Sequence, residues 1–199
     1  MILRHYQHQA VSNLRIAFRS GARAPLLVLP TGGGKTIILA AITHQALTRG
    51  ARVLILVHRR ELIHQTSAKL TALQVPHGII AAGVDRADAP IQIASVQTLI
   101  RRLDTAAQPD LIIIDEAHHA TAGQWDRILQ HWPTAYRLGV TATPCRLDGR
   151  GLRSAFDHLV LGPSMAGLIT ALPHLGTDLR ATSGGRSIRH PHASRRLRQ

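Results

Sequence analysis

One cysteine, two lysines and no long apolar run set the first limits on this chain. A lone thiol, Cys145, excludes an internal disulfide and a cysteine-based zinc cage, and it suits a reducing compartment. Hydrophobic residues make up 45% of the 199, yet no stretch approaches the ~18 consecutive apolar residues that cross a bilayer. The opening MILRHYQHQA has neither the apolar centre nor the small-residue cleavage site of a secretory leader. The expectation is a soluble, cytoplasmic protein without a membrane partner. There is no internal repeat and no interior linker. The length suits one domain with a core and leaves no room for two full lobes.

Acid is missing from one region altogether. Residues 180–199 carry six arginines and no Asp or Glu, so 18 − 11 = +7 of the formal +13 belongs to residues 1–179. The body is therefore basic even without its end, which suits a polyanion such as nucleic acid, although charge alone leaves a merely solvated basic surface equally open. From residue 173 onward the chain is rich in Pro, Gly, Ser, Arg and His with no apolar periodicity to bury, and 173–199 is read as a basic, disordered tail. Residues 1–172 form the domain. Within it, lysine is so scarce, two against 22 arginines, that the position of Lys35 directly after three glycines is informative.

Apolar, β-branched runs of strand length alternate with helical patterns: LLVLP (26–30), VLILV (53–57), IQIAS (91–95), LIIID (111–115) and YRLGVTA (136–142). IILAAITHQALTRG and RELIHQTSAKLTAL lie between them. Strands that do not alternate in polarity, separated by helices, predict an α/β fold with a parallel sheet covered on both faces. In such sheets ligands bind beyond the carboxyl ends of the strands, and the unusual clusters fall there.

TGGGKT (31–36) follows the first run and opens a helix. Glycines let Thr31, Gly32, Gly33 and Gly34 wrap backbone N–H groups around phosphates at a helix N-terminus, Lys35 reaches the β and γ phosphates, and the Thr36 hydroxyl can hold Mg²⁺. The general phosphate-loop pattern places a glycine where Leu29 stands, so the match is to a variant, and a flexible glycine turn capping a helix is the bland alternative. LIIIDEAHHA (111–120) ends a buried run in Asp115 and Glu116. In a phosphate-loop protein Asp115 serves the Mg²⁺ side and Glu116 orients or deprotonates the attacking water. The rival reading is a transition-metal site of Glu116, His118 and His119, against which adjacent histidines diverge and the i, i+4 spacing of a zinc-protease helix is absent.

PTGGGKT, DEAHH and TATP (141–144) occur in the order and spacing of superfamily 2 helicases, and the chain resembles the first, N-terminal RecA-like lobe of that superfamily, in the DEAH-box-like group of restriction-enzyme-type and phage helicases. The likeness spans residues 2 to 170. It implies a phosphate-loop NTPase lobe with ATP and Mg²⁺ as ligands, Mg²⁺ being held by Thr36 and Asp115. LRHYQHQAV resembles the motif in which Gln7 reads the adenine edge; a surface glutamine is the alternative. VHRRELIHQT resembles the segment that lays Arg59, Arg60 and Gln65 along a nucleic-acid strand, and SVQTL the next strand-contacting motif, with Gln97 and Thr98. A solvated helix start and a capping threonine are the plain alternatives there. Thr141 and Thr143 would link nucleotide state to nucleic-acid binding, with His118 as their partner. DNA is the expected strand rather than RNA. Trp125 and Trp132, seven apart, read as core, and His5, His8, His44 and His131 as surface.

The family completes its site with a second RecA-like lobe carrying γ-phosphate arginines, and no such lobe is read here. After residue 171 the sequence departs from the family's expected apolar segments, as a truncated frame or a single-lobe protein would. Two functions follow as expectations: an ATPase lobe that is weak alone, does not unwind and works with a second lobe on another chain, or a non-catalytic nucleotide- and nucleic-acid-binding module.

Overall fold

A computed structural model describes residues 2–85, 87–119, 123–143, 152, 155–164 and 167. The tail read at 173–199 lies outside the described residues, as do Pro144, Cys145, Arg146, Arg150 and Arg153. Helix α1 (His5–Arg19) is followed by β1 (Pro25–Val28), α2 (Lys35–Leu47), β2 (Val53–Val57), α3 (Arg60–Ala72), β3 (Gly78–Ile80), β4 (Ile91–Ser95), α4 (Val96–Leu99), β5 (Leu111–Asp115), α5 (Gly123–His131), β6 (Tyr136–Thr141) and β7 (His158–Leu161). The strands make one seven-stranded sheet in the order β3-β4-β2-β5-β6-β1-β7, and all of its pairings are parallel.

The apolar runs become central strands because both of their faces are covered. Val53, Ile55 and Val57 of β2 and Ile113 of β5 pack with Leu14 of α1, Ile38 of α2 and Ile63 and Leu70 of α3. Leu54 and Leu56, with Ile112 and Ile114, point the other way, to Leu99 of α4 and to Trp125, Ile128 and Leu129 of α5. The period-2 alternation of a strand thus feeds two separate cores. Both tryptophans are buried in the second core. The parallel sheet with helices packed on both faces agrees with the expected α/β architecture.

Two strands have no counterpart in the sequence reading. The edge strand GII, β3, is only three residues long, and in HLVL, at the opposite edge, only Val160 is buried while Leu159 and Leu161 are exposed. The first run stops short of its predicted end: β1 closes at Val28, although Leu29 N–H still donates to Thr141 O at 2.9 Å. Among the described residues no helix is long and apolar enough to cross a membrane.

Candidate active site

Strand order brings the motifs together. β6 lies between β1 and β5, so the loop after β1 and the acidic segment after β5 flank the end of β6, where Thr141 stands. Leu29, at the position where the general pattern has glycine, is fully buried and held to β6, so it serves the sheet rather than the loop.

The loop itself needs two of its glycines. Gly32 and Gly34 take φ of +81° and +76°, a region that L side chains rarely enter. Gly34 caps α2 in the left-handed conformation, and a Cβ there would collide with the Gln7 amide nitrogen. Gln7 is consequently no surface residue: it is 4% exposed, and its Oε1 accepts a hydrogen bond from Arg4 N–H at 2.9 Å. The first N–H groups of a helix lack intrahelical partners, and those opening α2 lie directly after the loop.

Lys35 Nζ lies 3.4 Å from Glu116 Oε1. Glu116 adopts φ of +53°, unusual for a residue with a side chain, and this turn redirects its carboxylate away from the line of β5. Its other oxygen is 3.4 Å from His118 Nδ1, and His118 Nδ1 is 3.1 Å from Thr141 Oγ1. The Thr141 hydroxyl donates to Thr143 O at 2.9 Å and accepts from Thr143 N–H at 3.1 Å. Lys35, Glu116, His118, Thr141 and Thr143 therefore form one connected chain of contacts.

Asp115 accepts the Glu116 backbone N–H on Oδ1 at 3.0 Å. Burial, and next the adjacent Glu116 carboxylate, push its carboxyl above the ordinary range, while the Glu116 N–H and the charges of Lys35 and Lys69 oppose that rise. The half-buried Asp115 carboxylate and the Thr36 hydroxyl are hard oxygen donors of the kind Mg²⁺ takes alongside phosphate oxygens. Lys69, from the last turn of α3, donates to Thr36 Oγ1 at 3.2 Å. The sequence reading had passed over Lys69; the signal available was that it is the only lysine besides Lys35. Among the described residues, no group of three or more His, Cys, Asp or Glu side chains is placed to hold a metal by itself.

Arg59 and Arg60 are exposed where β2 gives way to α3, with Gln65 exposed one turn on. Gln97, exposed, and Thr98, half-buried, lie on α4 just after β4. β2 and β4 are neighbours, paired at Val57 and Ser95, so these residues share one side of the sheet's carboxyl edge, while β5 and β6 separate them from the loop after β1.

Comparison with known proteins extends this picture. The family described as "Type III restriction enzyme, res subunit" matches residues 1–146. The chain is 34% identical over 140 residues to a 51.5 kDa protein of a Lactococcus phage, covering 70% of this chain and 28% of that one. It is 37% identical over 179 residues to IRC3 of Saccharomyces cerevisiae, provisionally named an ATP-dependent helicase, covering 80% and 26%. With the DNA 3'-5' translocase XPB2 of Sulfurisphaera tokodaii it shares 34% over 149 residues, covering 74% and 32%. The chain thus spans about a quarter to a third of these relatives' length. In fold it is similar to the UvsW helicase of bacteriophage T4, with a TM-score of 0.67 and 21% identity over 81% of this chain and 60% of that one. It is also similar to the restriction-modification enzyme LlaGI, solved with a DNA substrate mimic, with a TM-score of 0.67 and 17% identity over 85% and 20%.

Proposed function

The chain belongs to the type III restriction enzyme res-subunit family and is an N-terminal superfamily 2 helicase lobe, and on that premise we propose that it binds Mg-ATP at residues 31–36 and contributes half of a hydrolytic site coupled to a DNA strand. The observation that carries this reading is the approach of Lys35 to Glu116 across the end of β6.

Without nucleotide, the ammonium and the carboxylate neutralise each other. An arriving triphosphate offers Lys35 a denser anion, and its charge-assisted bonds to the β and γ phosphates release Glu116 to orient the attacking water. Thr36 and Asp115 would hold Mg²⁺, which supplies charge neutralisation across the phosphates. Because His118 touches both Glu116 and Thr141, a change at the carboxylate reaches the segment at Thr141 and Thr143 through named hydrogen bonds. Gln7 supports the loop from beneath. To meet an adenine edge as well, its carboxamide has to release Arg4 N–H or turn its nitrogen from Gly34.

Arg59, Arg60, Gln97 and Thr98 would then contact strand phosphates without reading sequence. DNA is the strand named for XPB2 and for the LlaGI complex, which favours DNA here. Hydrolysis also needs positive charge on the γ-phosphate, worth ~10³ to 10⁵ in rate when a neighbouring element supplies an arginine. We assign that arginine to a second lobe, so these 199 residues alone hydrolyse ATP slowly and do not unwind a duplex. The test is titration calorimetry with Mg-ADP. Wild type should bind, and Lys35→Ala should lose at least about tenfold, since a hydrogen bond from a charged donor contributes ~1.5 to 3 kcal/mol. Equal affinity in the two proteins would remove residues 31–36 from the site.

A further inference from the structure

Only two lysines occur in the chain, against 22 arginines, and both reach the same loop. Lys35 heads α2 and faces Glu116. Lys69 comes from a different helix, and its Nζ donates to Thr36 Oγ1 at 3.2 Å. The lone pair that accepts this proton is one that a divalent cation would use. Lys69 also acts electrostatically on Asp115, the second oxygen donor assigned to that cation. An ammonium thus sits among the groups that suit a metal, and the side chain that carries it is exposed and free to swing on a four-carbon stem.

We propose that Lys69 is a resident stand-in for the divalent cation: it neutralises the site and meets the nucleotide's phosphates when metal is absent, and it is displaced from Thr36 when the nucleotide arrives with Mg²⁺. The proposal rests on the nucleotide reading above and deepens it. A compact, rotatable point charge suits this exchange, whereas a guanidinium is planar and bonds through a rigid fork. In the metal-free state Lys69 would supply one charge next to Thr36; with metal bound, the same oxygen is taken and Lys69 returns to solvent. The signature is a nucleotide affinity that depends on Lys69 in one condition and not in the other.

The experiment is titration calorimetry of ADP into wild type, Lys69→Gln and Lys35→Ala, each in EDTA and in excess Mg²⁺. Glutamine keeps most of the reach and removes the charge, and the position is exposed, so an unchanged melting temperature checks that the fold is intact. Lys69→Gln should bind ADP about tenfold more weakly than wild type in EDTA. In Mg²⁺ it should match wild type within about twofold or bind more tightly. Lys69→Arg, which returns the charge on a planar fork, should recover only part of the affinity in EDTA. Equal losses in both conditions would make Lys69 an ordinary phosphate ligand and overturn the proposal, and no loss in EDTA would make it a solvated side chain with the same result. Lys35→Ala keeps the two claims apart. If it loses ADP in both conditions while Lys69→Gln is unaffected in either, the nucleotide site stands and the stand-in falls; if wild type binds no ADP in either condition, both fall.

Discussion

The two ends of the sheet treat their carboxylates in opposite ways. At the amino end, Asp110 accepts the Arg52 backbone N–H at 2.7 Å, and Asp157 accepts those of Arg23 at 2.7 Å and Ala24 at 3.0 Å. Arg23 lies over the Tyr136 ring, its guanidinium carbon 3.9 Å from the ring centroid. These carboxylates tie the starts of β1 and β2 to neighbouring segments through backbone partners. At the carboxyl end, Glu116 instead faces two side chains, Lys35 and His118, and Asp115 is half-buried and accepts the Glu116 backbone N–H. Side-chain partners can swing away to meet a ligand, whereas backbone partners are fixed by the strands that carry them.

That contrast is most exposed to test by Glu116→Gln. The amide keeps the shape and loses the base, so Mg-nucleotide should still bind while single-turnover phosphate release falls by ~10² to 10⁴, the usual contribution of a positioned general base. A mutant that releases phosphate at the wild-type rate would take Glu116 out of the chemistry.

At the opposite end, Asp157→Ala should cost about 1 to 2 kcal/mol through its lost backbone hydrogen bonds. For a chain of this size that lowers the melting temperature by roughly 2 to 8 °C. Nucleotide affinity should not move. Scanning calorimetry and an ADP titration on the same preparation check both halves, and a large loss of affinity would erase the division between the two ends.

The smallest effect concerns Asp115, and its sign is opposite to that of Asp157. Its carboxyl is held above 3.8, chiefly by burial, so its contribution to stability is fully present below that pH and is lost as pH rises through the folded-state value. At neutral pH the ionised form burdens the nucleotide-free fold. Asp115→Asn should therefore melt slightly higher than wild type at pH ~7, with the difference shrinking as pH is lowered toward ~4. It should also lose the Mg²⁺-dependent part of nucleotide affinity. A lower melting point at neutral pH would show that the carboxylate stabilises the empty site.

Much of this was legible in the residues. VLILV, IQIAS and LIIID stand in the structure as β2, β4 and β5, because long β-branched runs bounded by polar residues have few alternatives. β7 was illegible for the converse reason: an edge strand with one buried residue carries no run to read. Thr36, Lys35, Asp115 and Glu116 were picked out by residue type and position after a strand, and the structure brings their segments to one place. Lys69 was not, because its helix begins at Arg60 and nothing local to it points to the loop after β1. The left-handed turn at Glu116 was equally invisible, since no glycine marks it.

Local order was thus written in the sequence: where strands and helices alternate, which loop can cradle phosphate, which strand ends in acid. These depend on side-chain periodicity and on glycine's access to positive φ, properties of a few adjacent residues. Only the tertiary structure decided that β6 separates β1 from β5 and that Lys35 meets Glu116 across its end, that Gln7 closes under Gly34, and that Lys69 reaches Thr36. Those contacts join residues from 34 − 7 = 27 positions apart, Gln7 and Gly34, to 141 − 29 = 112 apart, Leu29 and Thr141, and strand order over such separations is set by long-range pairing and burial that no short window of residues contains.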